Sequence, residues 1–300
     1  MTEITDFKYT PLRISTTTVT ANWGLRINLN VLFEQLKAHF IPIGYPAEGI
    51  LKFEHGKEVY GACHKDLFTN RKITPKSFYN QSTLVLRRPS GSGWKEVNMK
   101  LFGSGGIQMT GVSSKEFAVE AVQWLLNLIK RLPQSPFDGK EPSITKVEVS
   151  LINTDYSLNY DIQQENLNQI LMEEYGLFSM LEKTIYQGVN AKFFYNTTNK
   201  TPGVCSCTGK GKGKDKSEGK DEGKGKEEDT KEEATTGIVF CKGQGSGEGD
   251  GCCKRITMSI FRTGKIIITG ARTMTQIETA YNFLNDIFRR HKNRVLIKRA

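Results

Sequence analysis

A chain of 300 residues with a formal charge of +10 has room for one large or two ordinary domains, and its apolar share of 37% is adequate for a core. No apolar run follows Met1 and no stretch approaches the roughly 20 apolar residues of a spanning helix, which argues against secretion and membrane insertion and leaves the sequons at Asn80 and Asn196 without meaning. The positive balance favours an anionic partner.

In chain order, residues 1–10 read as a short tail. Residues 12–20 form a β-branched strand, followed by a helix at 31–36 with Asn28 or Asn30 as its cap. Tyr45-Pro46 leads into a strand at 49–53. The segment 68–76 is basic and suits either phosphate contact or a solvated loop. Phe78-Tyr79-Asn80 is echoed later by Phe194-Tyr195-Asn196, predicting an added strand before each long loop. A linker occupies 133–143. The second half opens with a strand at 145–152, a helix around 164–174 and a strand at 188–193 entered by Tyr186-Gln187. Residues 208–237 are dominated by Gly, Lys, Glu and Asp without an aromatic, and cannot bury enough surface to order themselves. The eight lysines and nine acids of this insertion nearly cancel, and a solvated loop is the plainer reading beside a nucleic-acid tether.

The organising feature is a tandem repeat. Leu101-Phe102-Gly103-Ser104-Gly105-Gly106-Ile107-Gln108-Met109-Thr110-Gly111 recurs as Ile260-Phe261-Arg262-Thr263-Gly264-Lys265-Ile266-Ile267-Ile268-Thr269-Gly270. Register persists into the helices that follow, where Ala121 falls on Ala280, Trp124 on Phe283 and Leu125 on Leu284. Each copy predicts strand, turn, strand and a helix with apolar positions at 3.6 spacing. Phe117, Ala118, Ala121, Val122, Leu125 and Ile129, and in the second copy Ile277, Ala280, Tyr281, Leu284 and Ile287, need an apolar sheet face. Met99, Leu101, Ile107 and Met109 supply one; Ile256, Met258, Ile260, Ile266 and Ile268 supply the other. The opposite faces carry Asn98, Lys100, Phe102, Ser104, Gln108 and Thr110, and Thr257, Ser259, Phe261, Thr263, Lys265, Ile267 and Thr269. Aromatics, an aliphatic, hydroxyls and lysine on one face suit a partner that is both amphipathic and anionic, such as the minor groove of a duplex.

Two copies of this motif, each with its helix, resemble the TATA-box-binding protein family, and more narrowly the divergent form of large DNA viruses. The resemblance is strongest at 256–288 and good at 97–130. It implies an α+β saddle of two pseudo-symmetric halves, 11–132 and 144–300, each a curved antiparallel sheet with helices on the convex face. It further implies a transcription initiation factor, not an enzyme, that binds double-stranded promoter DNA as a monomer and bends it by wedging aromatics into the minor groove. Such a factor then recruits a general initiation factor and RNA polymerase in the nucleus or a cytoplasmic viral factory. Phe102 and Phe261 match one member of each intercalating pair; Tyr186 matches the other member, and Tyr45 matches it less well. Lys265, Arg262 and Lys100 would hold phosphates, with Thr110, Thr269, Ile267 and Gln108 against the groove. The opening strands would add Thr16, Thr18, Val147 and Val149; the family's central Asn pair falls on Thr16 and Val147, so strict TATA preference is not implied. The alternative is a saddle that serves as a protein-interaction scaffold in viral transcription, with weak or non-specific DNA binding.

Five of six cysteines flank the insertion. Cys205, Cys207, Cys241 and Cys252 would meet at one end of two strands if the insertion loops out, and four thiolates suit a structural zinc. The spacing is not Cys-x2-Cys, and free thiols are the other reading. His39, His55, His64 and His291 have no spacing for a triad or metal site, and Gly103-Ser104-Gly105-Gly106 lacks the Lys-Ser/Thr ending of a phosphate loop.

Overall fold

A computed structural model describes residues 7–68, 80–207, 241–249 and 252–299. Most of the basic loop, Phe78 and Tyr79, and the whole Lys/Glu/Gly insertion lie outside the described residues. The chain divides into two compact units, Pro11–Tyr156 with Ala271–Met274, and Met1–Thr10 with Ser157–Gly270 and Thr275–Ala300.

In the first unit the chain runs β1 (Arg13–Asn22), α1 (Leu29–Leu36), β2 (Gly49–His55), β3 (Glu58–Gly61), α2 (His64–Phe68), β4 (Gln81–Ser90), β5 (Gly93–Phe102), β6 (Gly106–Val112), α3 (Lys115–Ile129) and β7 (Thr145–Ser157). The strands form an antiparallel sheet in the order β3-β2-β4-β5-β6-β1-β7. Asn28 caps α1, its side chain accepting from the amides of Asn30 (3.1 Å) and Val31 (3.2 Å), and Ser114 caps α3 through Phe117 N (3.1 Å). Alternation sends Val19, Leu84, Leu86, Val97, Met99, Leu101, Ile107 and Met109 to one face, where Leu32, Leu36, Ala118, Ala121, Val122 and Leu125 cover them. Each such aliphatic contributes about 1.5–3 kcal/mol on burial.

The second unit holds β8 (Asp161–Ile162), α4 (Gln164–Glu173), β9 (Phe178–Glu182), β10 (Tyr186–Tyr195), β11 (Lys254–Phe261), β12 (Lys265–Ala271), α5 (Met274–Arg290), α6 (Lys292–Val295) and β13 (Leu296–Ile297). Its antiparallel sheet runs β12-β11-β10-β9, with β8 and β13 paired separately. Ile256, Met258, Ile260, Ile266 and Ile268 are fully buried, as are Ile277, Ala280 and Leu284 of α5. Among the described residues no helix is long and apolar enough to cross a membrane.

Both copies of the predicted motif therefore form strand, turn, strand and helix, and the fold class is α+β. The closing Thr-Gly of each copy has a backbone reason. Gly111 and Gly270 have φ of +82° and +101°, and a Cβ there would meet the carbonyl oxygens of Glu96 and Arg255 at 2.7 and 2.9 Å.

Four expectations change. The tail packs from Phe7 onward: Phe7 lies 6.3 Å from Phe288 and Tyr9 meets Tyr281 edge-on at 5.7 Å, because aromatics two apart fall on one side of an extended chain. β7 pairs with β1 from Thr145 to Asp155 and falls in the first unit, although the repeat boundary was placed before it. The strands at 49–53 and 188–193 are not counterparts. β10 pairs directly with the Phe261 strand, whereas β2 reaches the Phe102 strand only through β4, so β10 corresponds to β4 and β2 to β9. The added strand of the first unit is β3.

Candidate nucleic-acid interface

Cross-strand pairing defines the face left uncovered by helices. In the second unit one row runs Met180, Asn190, Ser259 and Ile267, and the next runs Phe178, Lys192, Thr257 and Thr269. A third row pairs Gly188 with Phe261, and Tyr186 brings its ring to 5.6 Å from that of Phe261. The two aromatics thus stand together at the end of the β10–β11 hairpin, on the open face. Beside them an open cleft of about 630 Å³ is lined by Phe261, Ile267, Lys265, Arg262, Lys183 and Gln187. Its floor is fixed by Gln164 at the start of α4, whose side-chain amide donates to the carbonyls of Gln187 (2.9 Å) and Ile260 (3.1 Å).

In the first unit the corresponding rows are Asn98, Thr110 and Thr18, then Thr83, Lys100, Gln108 and Thr20. Phe102 is half-buried at the strand end and pairs with Gln81. Asn98, Lys100, Gln108, Thr110 and Thr20 are partly exposed here, whereas Thr18, predicted to meet a partner, is buried at 6%. Toward β2 and β4 the same face is sealed by the chain at 41–48 and by α2. Arg87, 4% exposed, donates to the carbonyls of Pro42, Ile43, Tyr45 and Ala47, and buried Lys52 bonds Glu54 (2.6 Å) and Asp66 (2.9 Å). Leu51, Cys63 and Val85 form a small apolar cluster beneath.

The predicted residues fare unequally. The structure brings Tyr186, Phe261, Ile267, Thr269, Lys265 and Arg262 together in one unit, and Phe102, Lys100, Gln108, Thr110 and Thr18 in the other; half-buried Thr16 pairs with Asn153 near the far end of β1. Tyr45 is elsewhere. Its carbonyl is held by Arg87, six residues along β4 from the partner of Phe102, or about 20 Å. Val147 and Val149 are also corrected: both pack against the core, and Val149 pairs with fully buried Val19 because Ser150 is skipped in the β1–β7 ladder.

Sequence reasoning missed Lys192 and the apolar pair Phe178 and Met180. Lys192 is half-buried on the open face and bonds Thr257 Oγ1 at 3.1 Å. Burial, and secondarily the charge of Arg255, hold its pKa below the usual lysine value. Its signal was present as the alternate position after Gly188 and Asn190. Phe178 and Met180, 63% and 53% exposed, sit on the edge strand β9, in a stretch between the helix at 164–174 and the strand at 188–193 to which the sequence assigns no element.

At the far end of the β10–β11 hairpin the sulfurs of Cys205, Cys207, Cys241 and Cys253 lie within 4.8 Å of one another, a group that could hold a metal ion. Cys253 replaces Cys252 in the predicted set. Successive residues of an extended chain point to opposite sides, and it is Cys253 that turns inward, with no exposed surface, at the head of β11.

The structural class is therefore a helix-backed antiparallel sheet with aromatics, hydroxyls and lysines on its bare face. Comparison with known proteins narrows that class. The family model described as "Transcription factor TFIID (or TATA-binding protein, TBP)" matches residues 253–291, from Cys253 through β11, β12 and α5. A "TATA-box-binding protein-like" protein of Acanthamoeba polyphaga mimivirus is 25% identical over 240 residues, covering 77% of this chain and 53% of the relative. The chain thus spans about half the length of that relative. Among solved structures, Methanococcus jannaschii TBP gives a TM-score of 0.44 at 15% identity, covering 95% of this chain and 99% of that one. Over residues 253–291 the chain is similar to the TATA-binding protein family, and over 240 residues it is similar to a TATA-box-binding-protein-like protein of a giant virus.

Proposed function

We propose that the open sheet faces bind double-stranded DNA through the minor groove and bend it, and that the bent complex recruits a general initiation factor and RNA polymerase at viral promoters, in the nucleus or a cytoplasmic factory. The work is binding rather than catalysis. The observation that carries the reading is the Tyr186–Phe261 pair, two rings held side by side on the uncovered face where the strand ends. A ring pair so placed acts as a wedge between base steps. Unstacking costs a few kcal/mol per step, and the widened groove offsets it with contact area. Ile267, Thr257 and Thr269 present the short apolar and hydroxyl groups that fit against a groove floor, while Lys265, Arg262 and Lys192 supply charge for the phosphates. In the other unit Phe102, Lys100, Gln108 and Thr110 take the corresponding roles.

Fluorescence energy transfer across an end-labelled AT-rich duplex tests the proposal. Titration with the full chain should shorten the end-to-end distance, and bending should fall as salt rises. Binding without any change in that distance would reject the wedge, and no binding at low salt would reject the DNA reading in favour of a protein-interaction scaffold.

A further inference from the structure

We propose that Cys205, Cys207, Cys241 and Cys253 together hold one tetrahedral zinc ion, which ties both ends of the 208–240 segment to the base of the β10–β11 hairpin. The proposal rests on cysteine geometry alone and is independent of the DNA reading. Three stretches of chain converge on the site through backbone bonds that need no metal. β10 ends at Tyr195 opposite Lys254, so Cys253 directly precedes the last rung of the ladder. Phe194 N donates to Gly203 O (2.9 Å) and Asn199 Nδ2 to Phe194 O (2.8 Å), folding the chain back to deliver Cys205 and Cys207. On the other side Arg255 N donates to Gly243 O (2.8 Å) and Gly245 N to Cys253 O (3.0 Å), which brings Cys241 alongside.

The sulfur separations, from 2.9 Å up to 4.8 Å, bracket the spacing a single small ion requires. Cys205 and Cys207 are 2.9 Å apart, Cys205 and Cys253 3.4 Å, and Cys207 and Cys253 3.8 Å. An ion about 2.3 Å from each of four tetrahedral sulfurs sets them about 3.8 Å apart. A cluster of several irons would hold its sulfurs wider. Two N–H groups already point at sulfur, Gly243 N to Cys241 (3.4 Å) and Asn196 Nδ2 to Cys253 (3.8 Å), and would disperse negative charge. Loading is balanced: four thiols lose four protons to solvent, four S–Zn bonds form, and the site carries two negative charges with no change of oxidation state. An all-cysteine set leaves no position for water, which makes the ion structural.

The test is the metal content of the full chain, purified reduced without added metal. Wild type and Cys252→Ser should each carry about one zinc per chain, whereas Cys241→Ser and Cys253→Ser should lose it. Cobalt added after zinc removal should give the intense charge-transfer and d–d bands of a tetrahedral four-thiolate site, a readout on wild type that does not depend on any variant folding. Zinc near zero with six thiols open to alkylation would overturn the proposal. So would zinc lost in Cys252→Ser but kept in Cys253→Ser, or a coloured protein carrying iron in its place.

Discussion

The rings of Tyr186 and Phe261 lie 5.6 Å apart at 59° to one another, directly over Gly188. A Cβ on Gly188 would come within 3.0 Å of the tyrosine ring and 3.3 Å of the phenylalanine ring, so the missing side chain is what lets the two aromatics meet. Strand pairing positions the rings, and a glycine makes room for them.

Phe261→Ala should abolish DNA bending while leaving the fold intact. The ring faces away from α5, so its loss should cost under roughly 1.5 kcal/mol, well short of the 3–5 of a core phenylalanine. A thermal melt run beside the energy-transfer assay reads both. Bending that survives the substitution, or a collapse of the melt, would mean that Phe261 belongs to the core.

Gly188→Val should splay the pair. Bending should fall several-fold while far-ultraviolet circular dichroism stays that of wild type, since a β-branched residue suits a strand. An unchanged bend angle would show that the rings act singly.

Ile267 and Ile268 are adjacent in β12 but on opposite faces, Ile268 fully buried and Ile267 half-exposed opposite Ser259. Ile268→Ala should therefore cost about 2–5 kcal/mol, with Ile267→Ala costing less than about 1.5 and acting mainly on DNA affinity. Urea midpoints of the two variants decide, and equal losses would contradict the facing.

Lys192 tests the electrostatics. Burial first, and then the Arg255 charge, lower its pKa below the ordinary 10.5. The unfolded chain thus keeps this proton to higher pH than the folded one, and this group's contribution makes stability rise with pH between the folded value and 10.5. Below that window the charged lysine is unfavourable to folding throughout. Lys192→Met should leave the chain at least as stable at pH 7, while weakening duplex binding and making the plot of log affinity against log salt shallower by about one. A melt that drops, or a slope that does not move, would remove Lys192 from the phosphate-contacting set.

Much of this was legible in the sequence because two periodicities agreed. The apolar positions of α3 and α5 at 3.6 spacing and those of β5, β6, β11 and β12 at spacing 2 leave one consistent way to cover each sheet, and the remainder defines the bare face. What escaped depends on distant partners. Residues 49–53 and 188–193 look alike, and only the hydrogen-bonding neighbour distinguishes β2 from β10. Val149 was misplaced by the bulge at Ser150, and Cys253 was exchanged for Cys252, two slips of one residue that each reverse the side a residue faces. Tyr45 matches the chain before 188 only by resemblance, while Arg87 holds its carbonyl six residues along β4 from the partner of Phe102.

The seal over β2 and β4 makes the repeat lopsided. Arg87 and Lys52 pin a lid of chain across the outer strands of one unit, while in the other the same face stays bare as far as Phe178 and Met180 on β9. One motif written twice has thus become two distinguishable surfaces, one curtained and one bare, so the copies cannot stand in for each other.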